Sequence, residues 1–258
     1  MLNRIAFVLA VAAALGARAA IKTEVVEYRQ GDVVLEGFVA YDDAAKGPRP
    51  GVVVVHQWKG LGDYERKRAV MLAELGYVAF AADIYGKGVR PSSPQEAGPL
   101  AGKYKNDRPL LRARVAAAVA QLRGMERVDG KRLAAIGYCF GGTTALELAR
   151  SGADVAGVVS FHGALGTPSP EDARNIRCKV LALHGADDPF VPPAEVSAFE
   201  TEMKAAKVDW QLVQYGGAVH SFTMWAEDGS FSPGSKYHRD ADRRSWEAMR
   251  LFFAELFR

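Results

Sequence analysis

The residues with the clearest chemical potential are Gly137-Tyr138-Cys139-Phe140-Gly141-Gly142. They lie between an apolar run, LAAIGYC, that predicts a strand and a stretch from near Gly141 that predicts a helix. This is the spacing of a nucleophile elbow, with cysteine where serine is commoner. The glycines have a mechanical reason, because the elbow forces its central residue into a strained conformation and side chains two positions either way would collide. Such a turn lifts the sulfur above the sheet edge at the positive end of the following helix, which favours thiolate over thiol. Taken alone, G-x-C-x-G also describes a buried apolar cysteine in a glycine-rich turn; the flanking strand and helix favour the nucleophile. A thiol needs a base and an orienting acid, and on such a sheet the acid and then the histidine follow the nucleophile in chain order. Ala186-Asp187-Asp188-Pro189 follows the strand-like KVLALHG, and Val219-His220-Ser221-Phe222 follows WQLVQY. Asp188 is the expected acid with Asp187 the alternative, since one aspartate of this turn can cap backbone amides while the other enters the site.

Those loops need a frame, and the rest of the chain supplies one. With 258 residues, 49% hydrophobic and 24% charged, the chain suits a single α/β domain and excludes extended disorder. Residues 1–19 read as a secretory signal peptide: Arg4, an apolar run from Ile5 to Leu15, then Ala17-Arg18-Ala19. The apolar run is too short to span a bilayer. Cleavage near Ala19 would leave residues 20–258 as one exported domain, periplasmic or secreted. Removing Arg4 and Arg18 leaves 31 basic against 30 acidic residues, so no basic stripe points to nucleic acid, and no further apolar run points to a membrane. In the remaining chain, VVEYR and VLEGFVAY predict a hairpin around Gly31, GVVVVH and YVAFAAD predict buried strands, and Tyr64–Leu75 predicts a helix ending at Gly76. Ile84–Asp107 reads as the longest irregular segment, rich in Gly, Pro and Ser. Beyond it, helices near Arg108–Leu122, Gly141, Pro193–Ala206 and Asp240–Phe257 alternate with strands VAGVVSFHG, KVLALHG and WQLVQY. The alternation predicts a mostly parallel sheet covered by helices, without a large cap domain.

GYCFGG, GADDPFVP, AVHSFT and HQWKGL together resemble the dienelactone hydrolase family of the α/β-hydrolase fold, over nearly all of the chain after Val25. The resemblance implies Cys139 as nucleophile, His220 as base and Asp188 as acid, with the backbone N–H groups of Phe140 and Trp58 forming the oxyanion hole. It implies a small ester or lactone substrate, a thioester acyl-enzyme and no cofactor. Two departures alter the expectation. Before Trp58 the family typically carries a glutamate that hydrogen-bonds the resting cysteine; here Gln57 offers an amide, which cannot take a proton. A persistent Cys139–His220 pair is therefore expected. The family's carboxylate-binding arginine four residues after the histidine is replaced by Met224, and Pro94-Gln95-Glu96-Ala97-Gly98 carries no second one. Arg90 and Arg108 are the candidates to compensate, although a surface role is the favoured expectation for each. Without a bidentate clamp, neutral esters or lactones are the expected substrates.

The aromatic residues Trp58, Tyr85, Phe222 and Trp225 fall on loops bordering the nucleophile, as pocket walls or as packing, and Gln57 joins them in the expected substrate pocket. His56, His162 and His184 sit at strand ends but lack ligand spacing, so no metal site is expected, and His238 is expected at the surface. Cys178 begins one strand while Cys139 ends another, which excludes a disulfide between them. Alternatives to ester hydrolysis are acyl transfer, thioester hydrolysis, and a degenerate hydrolase fold that binds a ligand or partner without turnover.

Overall fold

The computed structural model describes residues 20–258, and the expected leader lies outside the described residues. Strands β1 (Ile21–Gln30) and β2 (Val33–Asp42) form the antiparallel hairpin, turning through Gly31 at a φ of 56°. Six further strands follow: β3 (Arg49–Val55), β4 (Val78–Ala82), β5 (Val128–Tyr138), β6 (Gly157–Phe161), β7 (Lys179–Gly185) and β8 (Trp210–Tyr215). They make one eight-stranded sheet in the order β1-β2-β4-β3-β5-β6-β7-β8. β2 pairs antiparallel with β4, and every pairing from β4 through β8 is parallel.

The central strands read as continuous apolar runs because both of their faces are covered. In β3, Val53 and Val55 enter one core while Val52 and Val54 enter the other. The first core packs beneath α2 (Pro94–Asn106), α3 (Arg108–Arg123), α4 (Phe140–Arg150) and α5 (Pro193–Ala205), and the second beneath α1 (Asp63–Glu74) and α6 (Arg239–Leu256). On α6, Ala241, Met249, Phe252 and Phe253 are buried while Leu251 faces solvent. His238, expected at the surface, is partly buried and caps this helix, its ring nitrogen accepting the Ala241 N–H at 3.2 Å.

The segment expected to be irregular, Ile84–Asp107, holds the thirteen-residue helix α2. Its start is well encoded: Ser93 caps the Glu96 N–H, and Pro94 takes the first turn, where a missing N–H costs nothing. Gly98, Pro99 and Gly102 inside it are poor helix formers and obscure it in the sequence. Helix formation there relies on burial of Ala97, Ala101 and Tyr104, the last stacked on Tyr85.

Between β5 and α4 the backbone must reverse in very little space. A Cβ on Gly137 would lie 1.9 Å from the Gly141 carbonyl oxygen, and one on Gly141 would lie 2.2 Å from that of Val55. Those neighbours are backbone and have no rotamer by which to yield. Gly141→Ala is expected to cost about 3 kcal/mol or more, whereas Gly98→Ala, with nothing within 4 Å of the new methyl, should gain up to about 1 kcal/mol of helix stability. Thermal or denaturant unfolding of the two variants checks this, and equal effects would contradict it.

Candidate active site

Four loops at the carboxyl edge of the parallel strands converge. Cys139 follows β5, Asp188 follows β7, His220 lies beyond β8, and Gln57 and Trp58 follow β3. Cys139 sits at a φ of 55° as the residue before α4, a backbone region that non-glycine residues seldom occupy. Its amide donates to the Phe161 carbonyl at 3.0 Å and to His162 Nδ1 at 3.1 Å. The side chain is thereby aimed at His220, whose Nε2 lies 3.0 Å from Sγ. On the other side of the ring, Nδ1 lies 2.8 Å from Asp188 Oδ2. Asp188 Oδ1 accepts the Phe190 N–H at 2.8 Å, so the buried carboxylate uses both oxygens. Asp187 is exposed.

Burial alone would push the Cys139 thiol up, but the His220 charge, its ring hydrogen bond, the Phe140 N–H and, more weakly, Lys105 reverse the shift and hold it below the ordinary thiol value. Burial likewise works against a charged His220; the thiolate and the Asp188 hydrogen bond overcome it and raise the ring to about 10. Each group thus favours the charged form of the other. Gln57 does not compete for the sulfur, because its side-chain oxygen accepts the Lys59 N–H at 3.0 Å.

A cavity of about 510 Å³ opens over Cys139 and His220. Gln57, Trp58, Phe140 and Met224 line it, so an apolar thioether stands where the family would place an arginine. One wall was missed in the sequence: Gly98, Ala101, Gly102 and Lys105 of α2 face the cavity together. Their i, i+3, i+4, i+7 spacing was a legible signal once a helix is allowed there. Phe190 and Phe231 contribute further apolar wall. Lys105 and Glu227 are the charged residues of the lining besides the Cys139–His220 pair.

Three expected pocket residues lie elsewhere. Tyr85 is buried behind Trp58, donating its hydroxyl to the Trp58 carbonyl at 2.8 Å, and so props the loop. Phe222 is fully buried against His162 and Tyr215. Trp225 covers the buried Arg68 guanidinium at 4.4 Å and donates to Asp242 at 3.0 Å. Aromatic area is placed by whichever apolar surface it can cover, and in each case packing supplies more than the cavity does. Neither candidate arginine lines the cavity. Arg90 is held by the Leu61 and Val89 carbonyls, each at 2.8 Å, and Arg108 is half-buried with its Nε and Nη1 unpartnered among the described residues. His56 is fully buried, accepting the Ile84 N–H at 3.2 Å. Cys178 and Cys139 are both free thiols. Among the described residues, no group of three His, Cys, Asp or Glu side chains is arranged to hold a metal.

The sequence profile of the dienelactone hydrolase family matches residues 35–257. A solved structure titled m3DLH is 44% identical with a TM-score of 0.90, covering 93% of this chain and 100% of its own. A dienelactone hydrolase-like promiscuous phosphotriesterase from metagenomic libraries, P91, is 41% identical with a TM-score of 0.88 and the same coverage. A Bradyrhizobium protein named as a probable 2-oxo-3-(5-oxofuran-2-ylidene)propanoate lactonase is 31% identical over 186 residues, 68% of this chain and 74% of its own. The sheet and its flanking helices are thus those of the α/β-hydrolase fold.

The charged pair has a reactivity signature. A thiol held below its usual value keeps its thiolate as pH falls, so iodoacetamide should modify Cys139 readily at neutral pH and lose rate only well below the free-thiol value of ~8.5. His220→Ala should return the midpoint toward ~8.5. A wild-type rate that stays low until pH rises through ~8.5 would contradict the pairing.

Proposed function

This chain belongs to the dienelactone hydrolase family and is an ester and lactone hydrolase acting on small molecules, and we propose that Cys139, His220 and Asp188 carry out its chemistry. The observation that carries this reading is the contact chain from Sγ to Nε2 at 3.0 Å and from Nδ1 to Asp188 at 2.8 Å. In the proposed cycle the thiolate forms a bond to the substrate carbonyl carbon, and the displaced π electrons move onto oxygen. That oxyanion is received by the N–H of Phe140, which as the first residue of α4 has no intrahelical acceptor. The N–H of Trp58, which has no acceptor among the described residues, is the second donor. As the carbonyl re-forms, the C–O bond to the leaving group breaks, and that oxygen takes the proton from His220 Nε2. A water then attacks the thioester, His220 accepts its proton, and cleavage of the C–S bond restores the thiolate.

The charge balance of the cavity bears on the substrate. Lys105 supplies a single ammonium rather than a bidentate fork, Glu227 lies 4.0 Å from Lys59, and Met224 presents no charge. A substrate carboxylate would lose water without gaining a bidentate partner. Neutral esters and lactones are therefore the preferred substrates in this reading. The thioesterase and acyltransferase alternatives would use the same machinery. Residues 1–19 are read as a cleaved export signal; intact mass of a product starting near Ala20 in the exported fraction of a bacterial host supports it, and a retained leader in the cytosol contradicts it.

Turnover of a p-nitrophenyl ester tests the nucleophile. Cys139→Ala should lower kcat/KM by at least about a thousandfold with the fold intact, in keeping with loss of a nucleophile that acts as a unit with its base; wild-type rates in that variant would refute the assignment. Paired neutral and carboxylated esters with a common leaving group test the pocket. The neutral member should be favoured by about tenfold or more, since one lost bidentate contact amounts to roughly 1.5–3 kcal/mol, and a preference for the carboxylated member would refute that part.

A further inference from the structure

The distance between Sγ and Nε2 depends on two loops that leave distant strands. β5 carries Cys139 and β8 leads to His220, and β6 and β7 lie between them in the sheet. At ~4.8 Å per strand that separation is roughly 14 Å. Something beyond the sheet must hold the two loops in register, and His162 lies between them. It is fully buried, follows β6, and has a φ of 41°. Its Nδ1 lies 3.1 Å from the Cys139 amide, and its Nε2 lies 2.8 Å from Thr223 Oγ1. Thr223 is three residues beyond His220 and is itself fully buried.

The donors fix the tautomer. A backbone N–H can only donate, so Nδ1 must accept and the ring proton must sit on Nε2, from where it is donated to Thr223. A protonated ring would turn a second N–H against the Cys139 amide. Burial and the charge of His220 hold His162 well below its ordinary value, which keeps it neutral. Thr223 is anchored in turn: Tyr64 donates to its hydroxyl at 2.7 Å, and Arg68 Nη2 donates to its carbonyl at 3.2 Å. Arg68 is ion-paired with Asp242 at the start of α6. A continuous buried link thus runs from α6 and α1 through the histidine loop to the nucleophile's own amide.

We propose that His162 and Thr223 are positioning residues that lock the nucleophile elbow to the histidine loop and so set the Cys139–His220 contact. Neither needs to touch the substrate, and neither lines the cavity. The proposal rests on the assignment of Cys139 and His220 above. Loss of the link leaves the substrate cavity intact but lets the two loops move apart, so the proton-transfer distance suffers before binding does.

Thr223→Val removes the hydroxyl at nearly constant shape, and Thr223→Ser restores it. On a p-nitrophenyl ester, Thr223→Val should lower kcat about tenfold with KM within about twofold, and the pH midpoint for iodoacetamide alkylation of Cys139 should rise toward ~8.5. Thr223→Ser should recover both readouts. His162→Phe, which breaks both ends of the link, should lower kcat further with the same shift; where that variant does not fold, Thr223→Val and its serine rescue decide. An unchanged alkylation midpoint and kcat in Thr223→Val, with only the melting temperature lowered, would overturn the proposal and leave a purely structural contact. Retained turnover in Cys139→Ala would instead overturn the underlying assignment, so the two failures are distinguishable.

Discussion

The left-handed backbone of Cys139 is the constraint on which the site depends. Holding a non-glycine residue there costs on the order of 1–3 kcal/mol, and the chain meets that cost by leaving the junction no room to relax. All eleven residues of α4 are buried, so the helix cannot slide to relieve the turn. Gly137 and Gly141 bring three backbone segments into direct contact, tying the end of β3, the end of β5 and the start of α4 into one rigid point. With that point fixed, the sulfur stands at the amino end of a helix, beside the Phe140 N–H.

Charge is managed with similar economy. Asp188, His220 and Cys139 as carboxylate, imidazolium and thiolate sum to one negative charge in a partly dry cavity, which is far less costly than an isolated buried thiolate. The amino end of α4 and the Lys105 ammonium lean against the remaining charge. The lining holds no dedicated cation clamp. In the proposed reading, selection among small carbonyl substrates falls to shape and apolar contact with α2, Met224, Phe190 and Phe231.

The strands and the chain order of the site were legible because they follow from local rules. Apolar runs such as GVVVVH predict doubly covered strands, and an elbow needs small residues at fixed offsets. Orientation was not legible in the same way. Tyr85, Phe222 and Trp225 were placed on the correct edge of the sheet, but whether a ring faces the cavity or the core is decided by neighbours distant in sequence, such as Arg68 beneath Trp225. α2 was hidden because Gly98, Pro99 and Gly102 argue locally against a helix, while the burial that sustains it is tertiary. Those same small residues make it useful as a wall, since side chains at Gly98 and Gly102 would intrude on the cavity. Local propensity is sacrificed there for space above the nucleophile.

Gln57 joins these threads. A carboxylate in its place could hold the cysteine proton and repel the thiolate; the amide does neither, and its oxygen is engaged by Lys59. In the proposed reading the pair with His220 forms before any substrate arrives and depends on the Asp188 contact and on loop registry, which is why a buried histidine between the loops carries weight. Permanent readiness has a chemical consequence. A thiolate beside an open cavity is the form that oxidants attack, and Cys178, the other thiol, immediately precedes β7 at the opposite edge of the sheet from the end of β5. No second cysteine of this chain can therefore trap an oxidised Cys139 as a disulfide. A pair formed without substrate, as proposed, would leave protection of the thiol to the cavity walls.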